Sequence, residues 1–137
     1  LQGTELFPIV QSGTTSQTTL SDIDNYLIAT SLTVAAGETV NLSDAAYASL
    51  SLLKLTYTAA GGSENMTINL PDATTNANRL IRFISDTTFT TNTKVNLTAI
   101  NSQTIDGSTD AYIINKEYEG VQLWSDGTEW FIIQKKG

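Results

Sequence analysis

The last third of the chain carries the clearest alternation of apolar and polar positions. Val121-Gln122-Leu123-Trp124-Ser125 and Thr128-Glu129-Trp130-Phe131-Ile132-Ile133 flank Asp126-Gly127. An Asp-Gly pair between two strand-like runs predicts a hairpin with a two-residue type I′ turn, whose central residues both need positive φ. That register sets Ser125 opposite Thr128, Leu123 opposite Trp130 and Val121 opposite Ile132. One face of the hairpin then carries Val121, Leu123, Trp130 and Ile132. The other carries Gln122, Trp124, Glu129, Phe131 and Ile133. Both faces are apolar, whereas a small antiparallel sheet usually keeps one face wet. Leu80 and Ile84 pose the same problem, because they point away from Ile81 and Phe83 on their own strand. A second cover is therefore expected, supplied by the N-terminal segment or by neighbouring subunits.

From Leu32 onward the pattern is strands, with an internal repeat of about 28 residues. Thr39-Val40-Asn41-Leu42-Ser43-Asp44-Ala45 is echoed by Thr67-Ile68-Asn69-Leu70-Pro71-Asp72-Ala73. Each copy runs on to a second apolar stretch, Leu52-Leu53-Lys54-Leu55 and Leu80-Ile81-Arg82-Phe83. Val95-Asn96-Leu97-Thr98-Ala99 is a partial third echo. The unit reads as strand, Asp-containing turn, strand.

The first thirty residues read differently. Glu5 to Gln11 is strand-like, with Pro8 demoting it to an edge or arm. Ser12-Gly13-Thr14 turns the chain, and Ser16 to Leu20 returns as a second short strand. Ser21 is an N-cap candidate, and Asp22 and Asp24 follow in the first turn, where the helix dipole favours negative charge. Ile23, Tyr26 and Leu27 give a helix of two turns one apolar face. The expected architecture is all-β, an antiparallel hairpin-rich domain, sandwich or barrel-like, over residues 31–137. Residues 1–30 form an extended arm with one short helix. Leu6, Phe7, Ile9 and Val10 in that arm have too little chain around them to be buried alone, so they are expected to dock elsewhere.

Composition narrows the function. At 137 residues the chain suits one domain. It has no Cys and no His, which removes thiolate chemistry and the usual general base and metal ligand. A formal charge of −7, with Lys and Arg numbering 7, supplies no basic footprint for nucleic acid. Leu27 to Ala36, the least polar stretch, is too short to span a bilayer, so membrane insertion is not expected. Gly61-Gly62 reads as a turn rather than a phosphate loop, and no cofactor is implied. Asp106-Gly107, Asp110, Glu117 and Glu119 form an acidic neighbourhood without EF-hand spacing; turn acids account for it, and neither catalysis nor a metal is expected there. The Asn-x-Ser/Thr triplets at Asn41, Asn65 and Asn96 are what a Thr- and Asn-rich chain contains by chance. Trp130 is expected to pack in the core, and Trp124 either to contact a neighbouring subunit or to serve as an exposed platform for a sugar.

Gly3-Thr4-Glu5-Leu6-Phe7-Pro8-Ile9-Val10-Gln11-Ser12-Gly13, followed by Thr18-Thr19-Leu20-Ser21-Asp22-Ile23, resembles a short module of bacteriophage tail-fibre and other virion proteins. Ile68 to Ala73, Thr104-Ile105-Asp106-Gly107 and Ser125 to Ile132 resemble a β domain found near the ends of such proteins. The resemblance implies a non-enzymatic structural protein on the particle surface, of the capsid decoration, cement or head-fibre type. It also implies a homotrimer in contact with other virion proteins of capsid or tail. On that reading Trp124, Phe131, Ile133, Leu80 and Ile84 form the oligomer interface, and Leu6, Phe7, Ile9 and Val10 the virion attachment. The competing expectation is a receptor-binding tail-fibre or tip module that recognises host surface glycan. Shafts are usual in fibres, and none is visible in this sequence.

Overall fold

The computed structural model describes residues 6–11, 14–19, 28–58, 65–90 and 92–137. Among them the chain is all-β, and its only helical element is a 3-10 turn at Ala73–Thr75. The helix expected over Ser21 to Leu27 and the turn at Gly61-Gly62 lie outside the described residues.

Strands β1 (Leu6–Gln11) and β2 (Thr14–Thr19) pair antiparallel, from Leu6 opposite Thr19 to Gln11 opposite Thr14, as a two-stranded sheet of their own. Pro8 is compatible with this because a two-stranded sheet consists of edges.

The remaining strands are β3 (Ile28–Ala35), β4 (Thr39–Asn41), β5 (Leu50–Thr58), β6 (Asn65–Asn69), β7 (Leu80–Ser85), β8 (Lys94–Thr98), β9 (Tyr112–Ile114), β10 (Gly120–Ser125) and β11 (Trp130–Lys136). They form a five-stranded sheet, β11-β10-β7-β5-β3, and a four-stranded sheet, β4-β6-β8-β9. From β3 to β8 the chain alternates between the two sheets. Each strand then pairs in parallel with the strand one circuit later: β3 with β5, β5 with β7, β4 with β6 and β6 with β8. This is a short two-sheet solenoid, and the sequence repeat is its coil.

The expected antiparallel pairs are present at β1–β2, β8–β9, β7–β10 and β10–β11, but between β3 and β8 the pairing is parallel. The turns after β4 and β6 carry the chain across to the facing sheet instead of folding it back on the same one. Repeat-equivalent residues consequently lie side by side, Thr39 beside Thr67, Val40 beside Ile68 and Asn41 beside Asn69. The third echo is a real strand, with Ile68 beside Leu97. In the five-stranded sheet Leu53 meets Phe83, an offset two residues longer than between Val40 and Ile68. The extra length falls in the second corner, where Ala73–Thr75 makes its 3-10 turn.

Alternation along the strands fills a single core between the sheets. Leu32, Leu53, Leu55, Ile81, Phe83 and Leu123 enter it from one side, and Met66, Ile68, Val95, Leu97 and Ile114 from the other. Each fully buried side chain of this size contributes about 1.5–3 kcal/mol relative to exposure. Corner residues Leu42 and Leu70, equivalent in the repeat, are both buried, and their amides extend the ladder to Asn69 O and Thr98 O. Asp72 holds the second corner. Its Oδ1 accepts from the Thr74 amide at 2.9 Å and from Gln103 Nε2 at 2.6 Å, and its Oδ2 from Asn101 Nδ2 at 2.7 Å. Hydrogen bonds from Thr74, Gln103 and Asn101 hold this carboxyl well below the usual carboxylate range.

Antiparallel pairing ends the solenoid. β9 folds back on β8, and β10 lies between β7 and β11. Trp130 is fully buried there and donates from Nε1 to Pro71 O at 3.1 Å, the packing role expected for it. The positive-φ Asp-Gly turn is found at Asp106-Gly107, with φ of 51° and 77° between Ile105 and Ser108, which exchange both backbone bonds.

Candidate functional site

The outward face of the five-stranded sheet gathers the residues singled out for interaction. On β7, Ile81, Phe83 and Ser85 point inward, which leaves Leu80, Arg82 and Ile84 outside. On β10, Val121, Leu123 and Ser125 point inward, and Gln122 and Trp124 outward. Strand register then builds three cross-strand rows. The first is Phe131, Trp124 and Leu80. The second is Gln134, Gln122, Arg82 and Leu52, and the third Lys136, Gly120, Ile84 and Lys54.

The hairpin that sets these rows differs from the expected one. Ser125 faces Trp130, Trp124 faces Phe131 and Leu123 faces Ile132, with a four-residue loop over Asp126 to Glu129. The Asp126 carboxylate causes this. Its Oδ1 accepts from the amides of Thr128 at 2.7 Å and Glu129 at 2.9 Å, which opens the turn from two residues to four. Those bonds, that from Glu129 first, lower the Asp126 pKa. The register moves by two residues, an even number, so the sorting of side chains between faces is unchanged. Further along, Gln122 faces Gln134, which leaves Ile133 as the extra residue of a bulge, 52% exposed.

Trp124, Phe131, Leu80, Ile84 and Ile133 therefore lie on or beside one sheet face, with Leu52 added at 38% exposure. Trp124 and Phe131 pack on each other with ring centroids 5.9 Å apart, tilted by 37°. Leu6, Phe7, Ile9 and Val10 are all in β1, and their side chains lie outside the described ones.

Beyond the aromatic row the surface sinks. A depression of about 210 Å³ lies over Gly120, and a second of about 260 Å³ adjoins it toward Ser31. Both are lined by Leu52 and Ile84, so they adjoin over these two residues as a groove across the strands. Glycine at 120 leaves the groove open: a Cβ there would sit 3.1 Å from Ile84 Cδ1 and 3.1 Å from Phe83 O. Arg82, Lys136 and Lys54 stand around it with the amides of Gln122 and Gln134. Lys54 is 3.8 Å from Asp86 at the far end, and Lys135 lies over the Tyr112 ring at 5.1 Å.

Two members of the acidic neighbourhood, Asp106 and Glu119, have separate structural tasks, as does Glu129 outside it. Asp106 accepts from the Ile132 amide at 2.8 Å and ties its turn to β11. Glu119 accepts from the amides of Asn115 and Lys116. Glu129 takes a hydrogen bond from Thr104. No group of three acidic side chains among the described residues is placed to hold a metal ion.

Sequence reasoning identified Leu80, Ile84, Gln122, Trp124, Phe131 and Ile133 on this face and missed Leu52, Arg82, Gln134 and Lys136. Arg82 and Gln122 were legible as outward positions by strand parity. Their meeting with Gln134 and Lys136 depends on the four-residue loop and the bulge, which the chain does not announce. No protein-family model matches the sequence, and no curated protein matches it as a relative.

Proposed function

We propose that this chain is a phage virion structural protein, displayed on the particle surface and working by assembly rather than by catalysis. The observation that carries the reading is the outward strip of Leu80, Trp124 and Phe131 with Ile133 at its edge. Full burial of such side chains contributes about 1.5–3 kcal/mol each, and those facing outward here forgo part of it. A closed symmetric assembly covers the strip once and leaves no adhesive surface behind. The resemblance of Gly3 to Gly13 and of the C-terminal strands to virion modules supports the particle setting and a trimer. Attachment through Leu6, Phe7, Ile9 and Val10 belongs to the same reading.

Light scattering after size exclusion tests the assembly: the expected mass is three times 14.8 kDa, falling toward one copy in Trp124→Glu. Co-sedimentation of the tagged chain with intact particles tests the setting. A well-behaved monomer, or a chain found only free of particles, refutes the corresponding half.

A second reading, a receptor-binding module for host surface glycan, is favoured by the polar row of Gln134, Gln122 and Arg82 beside the Trp124–Phe131 pair. Saccharide-array binding separates it from a purely structural role.

A further inference from the structure

We infer that the groove across the five-stranded sheet binds an acidic polysaccharide, its carboxylates on Arg82 and Lys136 and its sugar rings over Leu52, Ile84 and Gly120. This rests on the glycan-binding reading and gives it a chemical class.

Charge distribution is the first ground. The chain has 14 acidic residues and 7 basic ones. Among the described residues that line the groove, Arg82, Lys136 and Lys54 face outward and none is Asp or Glu, with Lys54 paired to Asp86 at the far end and Lys135 turned inward over Tyr112. A surface patch drawn at random from this chain would favour acids two to one. The groove is thus a cationic strip on an anionic protein, and it selects ligands of negative charge.

Unused bonding capacity is the second. Arg82 makes no hydrogen bond or ion pair with any described residue, and the side-chain amides of Gln122 and Gln134 have none either. These three stand in one row on adjacent strands. A guanidinium beside two primary amides offers a planar fork for a carboxylate and further donors and acceptors for hydroxyls.

Shape is the third. The groove runs across the strands from β11 to β3, four spacings of about 4.8 Å each, or roughly 19 Å. That length suits a chain of several sugar rings rather than a single small anion. Its floor is apolar at Leu52 and Ile84 and matches the C–H faces of pyranose rings, with the Trp124–Phe131 pair one row beyond. A nucleic acid fits less well, because the groove has no ring on its floor for base stacking.

Affinity electrophoresis of the full chain at low ionic strength, through native gels with entrapped polygalacturonate or alginate, tests the inference. Neutral dextran gels serve as reference. Retardation by the acidic polymers but not by dextran is expected. Arg82→Glu and Lys136→Glu should each weaken it by roughly tenfold or more, the scale of one charge-assisted bond lost. Lys94→Glu, on the opposite sheet, makes the same change in net charge and should leave it nearly intact. Equal retardation in dextran would remove the acidic assignment and keep the glycan-binding reading. No retardation in any gel would remove both. Equal weakening by Lys94→Glu, or tighter binding of single-stranded oligonucleotide or polyglutamate than of either polysaccharide, would also overturn the inference.

Discussion

A disulfide across one coil tests the parallel architecture directly, and the cysteine-free chain gives a clean background. Asn41 and Asn69 are register partners on β4 and β6, and Asn69 Nδ2 donates to Asn41 Oδ1 at 2.8 Å. Parallel neighbours stand about 4.8 Å apart, inside the Cα window of roughly 4.4–6.8 Å that a disulfide tolerates. In Asn41→Cys/Asn69→Cys the bond would close a loop of about 28 residues. Chain-entropy bookkeeping for that length gives about 3.6 kcal/mol of stabilisation, an upper figure because native strain subtracts from it. The exposed amide bond is lost from the oxidised and reduced forms alike and cancels in their comparison. At about 3–5 °C per kcal/mol for a domain of this size, Tm should rise by roughly 10 °C on oxidation. The assay is calorimetry of the oxidised and reduced double variant, with thiol titration to confirm one intramolecular bond. Asn41→Cys/Thr98→Cys is the control. Thr98 is the register partner of Asn69, so it lies two strand spacings from Asn41, about 9.6 Å, and should not close. Closure of the control, or an oxidised double variant that melts no higher than the reduced one, would refute the stacked-coil register.

Two other outcomes follow from the core and the corners. Trp130→Phe removes the Nε1 bond to Pro71 O and part of a fully buried side chain, so the urea midpoint should fall by the equivalent of about 2–4 kcal/mol with the slope unchanged; a loss under about 1 kcal/mol would deny Trp130 its role in closing the solenoid end. Burial alone would raise the Asp86 pKa, but hydrogen bonds from Thr56 and Thr88, with Lys54 nearby, outweigh it and bring it down to about 2. A depressed folded value contributes stability that is complete above the unfolded value, about 4, and lost as pH falls toward 2. Asp86→Asn should therefore flatten the Tm-against-pH curve across that window, and an unchanged slope would show that the Thr56–Asp86–Thr88 contacts do not hold the carboxylate.

How much of this was legible in the chain depends on which interactions are local. Strand positions and faces were, because period-2 alternation is written residue by residue. The 28-residue repeat was visible too, yet a hairpin and a coil share the pattern of strand, turn, strand. What separates them is identity at equivalent places. Thr39 with Thr67, Val40 with Ile68 and Asn41 with Asn69 are like paired with like, as stacked coils need and as antiparallel partners do not. The Asp-Gly signal was right in kind and placed at the wrong site. Asp106-Gly107 takes the two-residue turn with positive φ at both residues, whereas the Asp126 carboxylate bonds forward to two amides and widens its own loop. The groove had no local signature, since Leu52 and Arg82 come from strands far in sequence from the hairpin that carries Gly120 and Lys136.

The strip proposed for assembly and the groove proposed for binding share one sheet, and whether they can be told apart is a matter of distance and charge. Trp124 and Gln122 are successive outward residues of β10, so the two rows lie about 6.7 Å apart. Trp124→Glu, suited to breaking the assembly, would also place a carboxylate about 7 Å from Arg82 and the anion held there. Even at the dielectric of water this repulsion is about 0.6 kcal/mol, or roughly a threefold loss of affinity, and more wherever water is excluded. A fall in polysaccharide binding in that variant would therefore say little about whether binding needs the assembled form. Trp124→Gln removes the same apolar ring without adding charge. If it shifts the mass toward monomer while Arg82-dependent retardation persists, each copy carries a complete groove. If retardation disappears with the trimer, the neighbouring copy supplies part of the ligand's surroundings, and the two uses of the sheet are one.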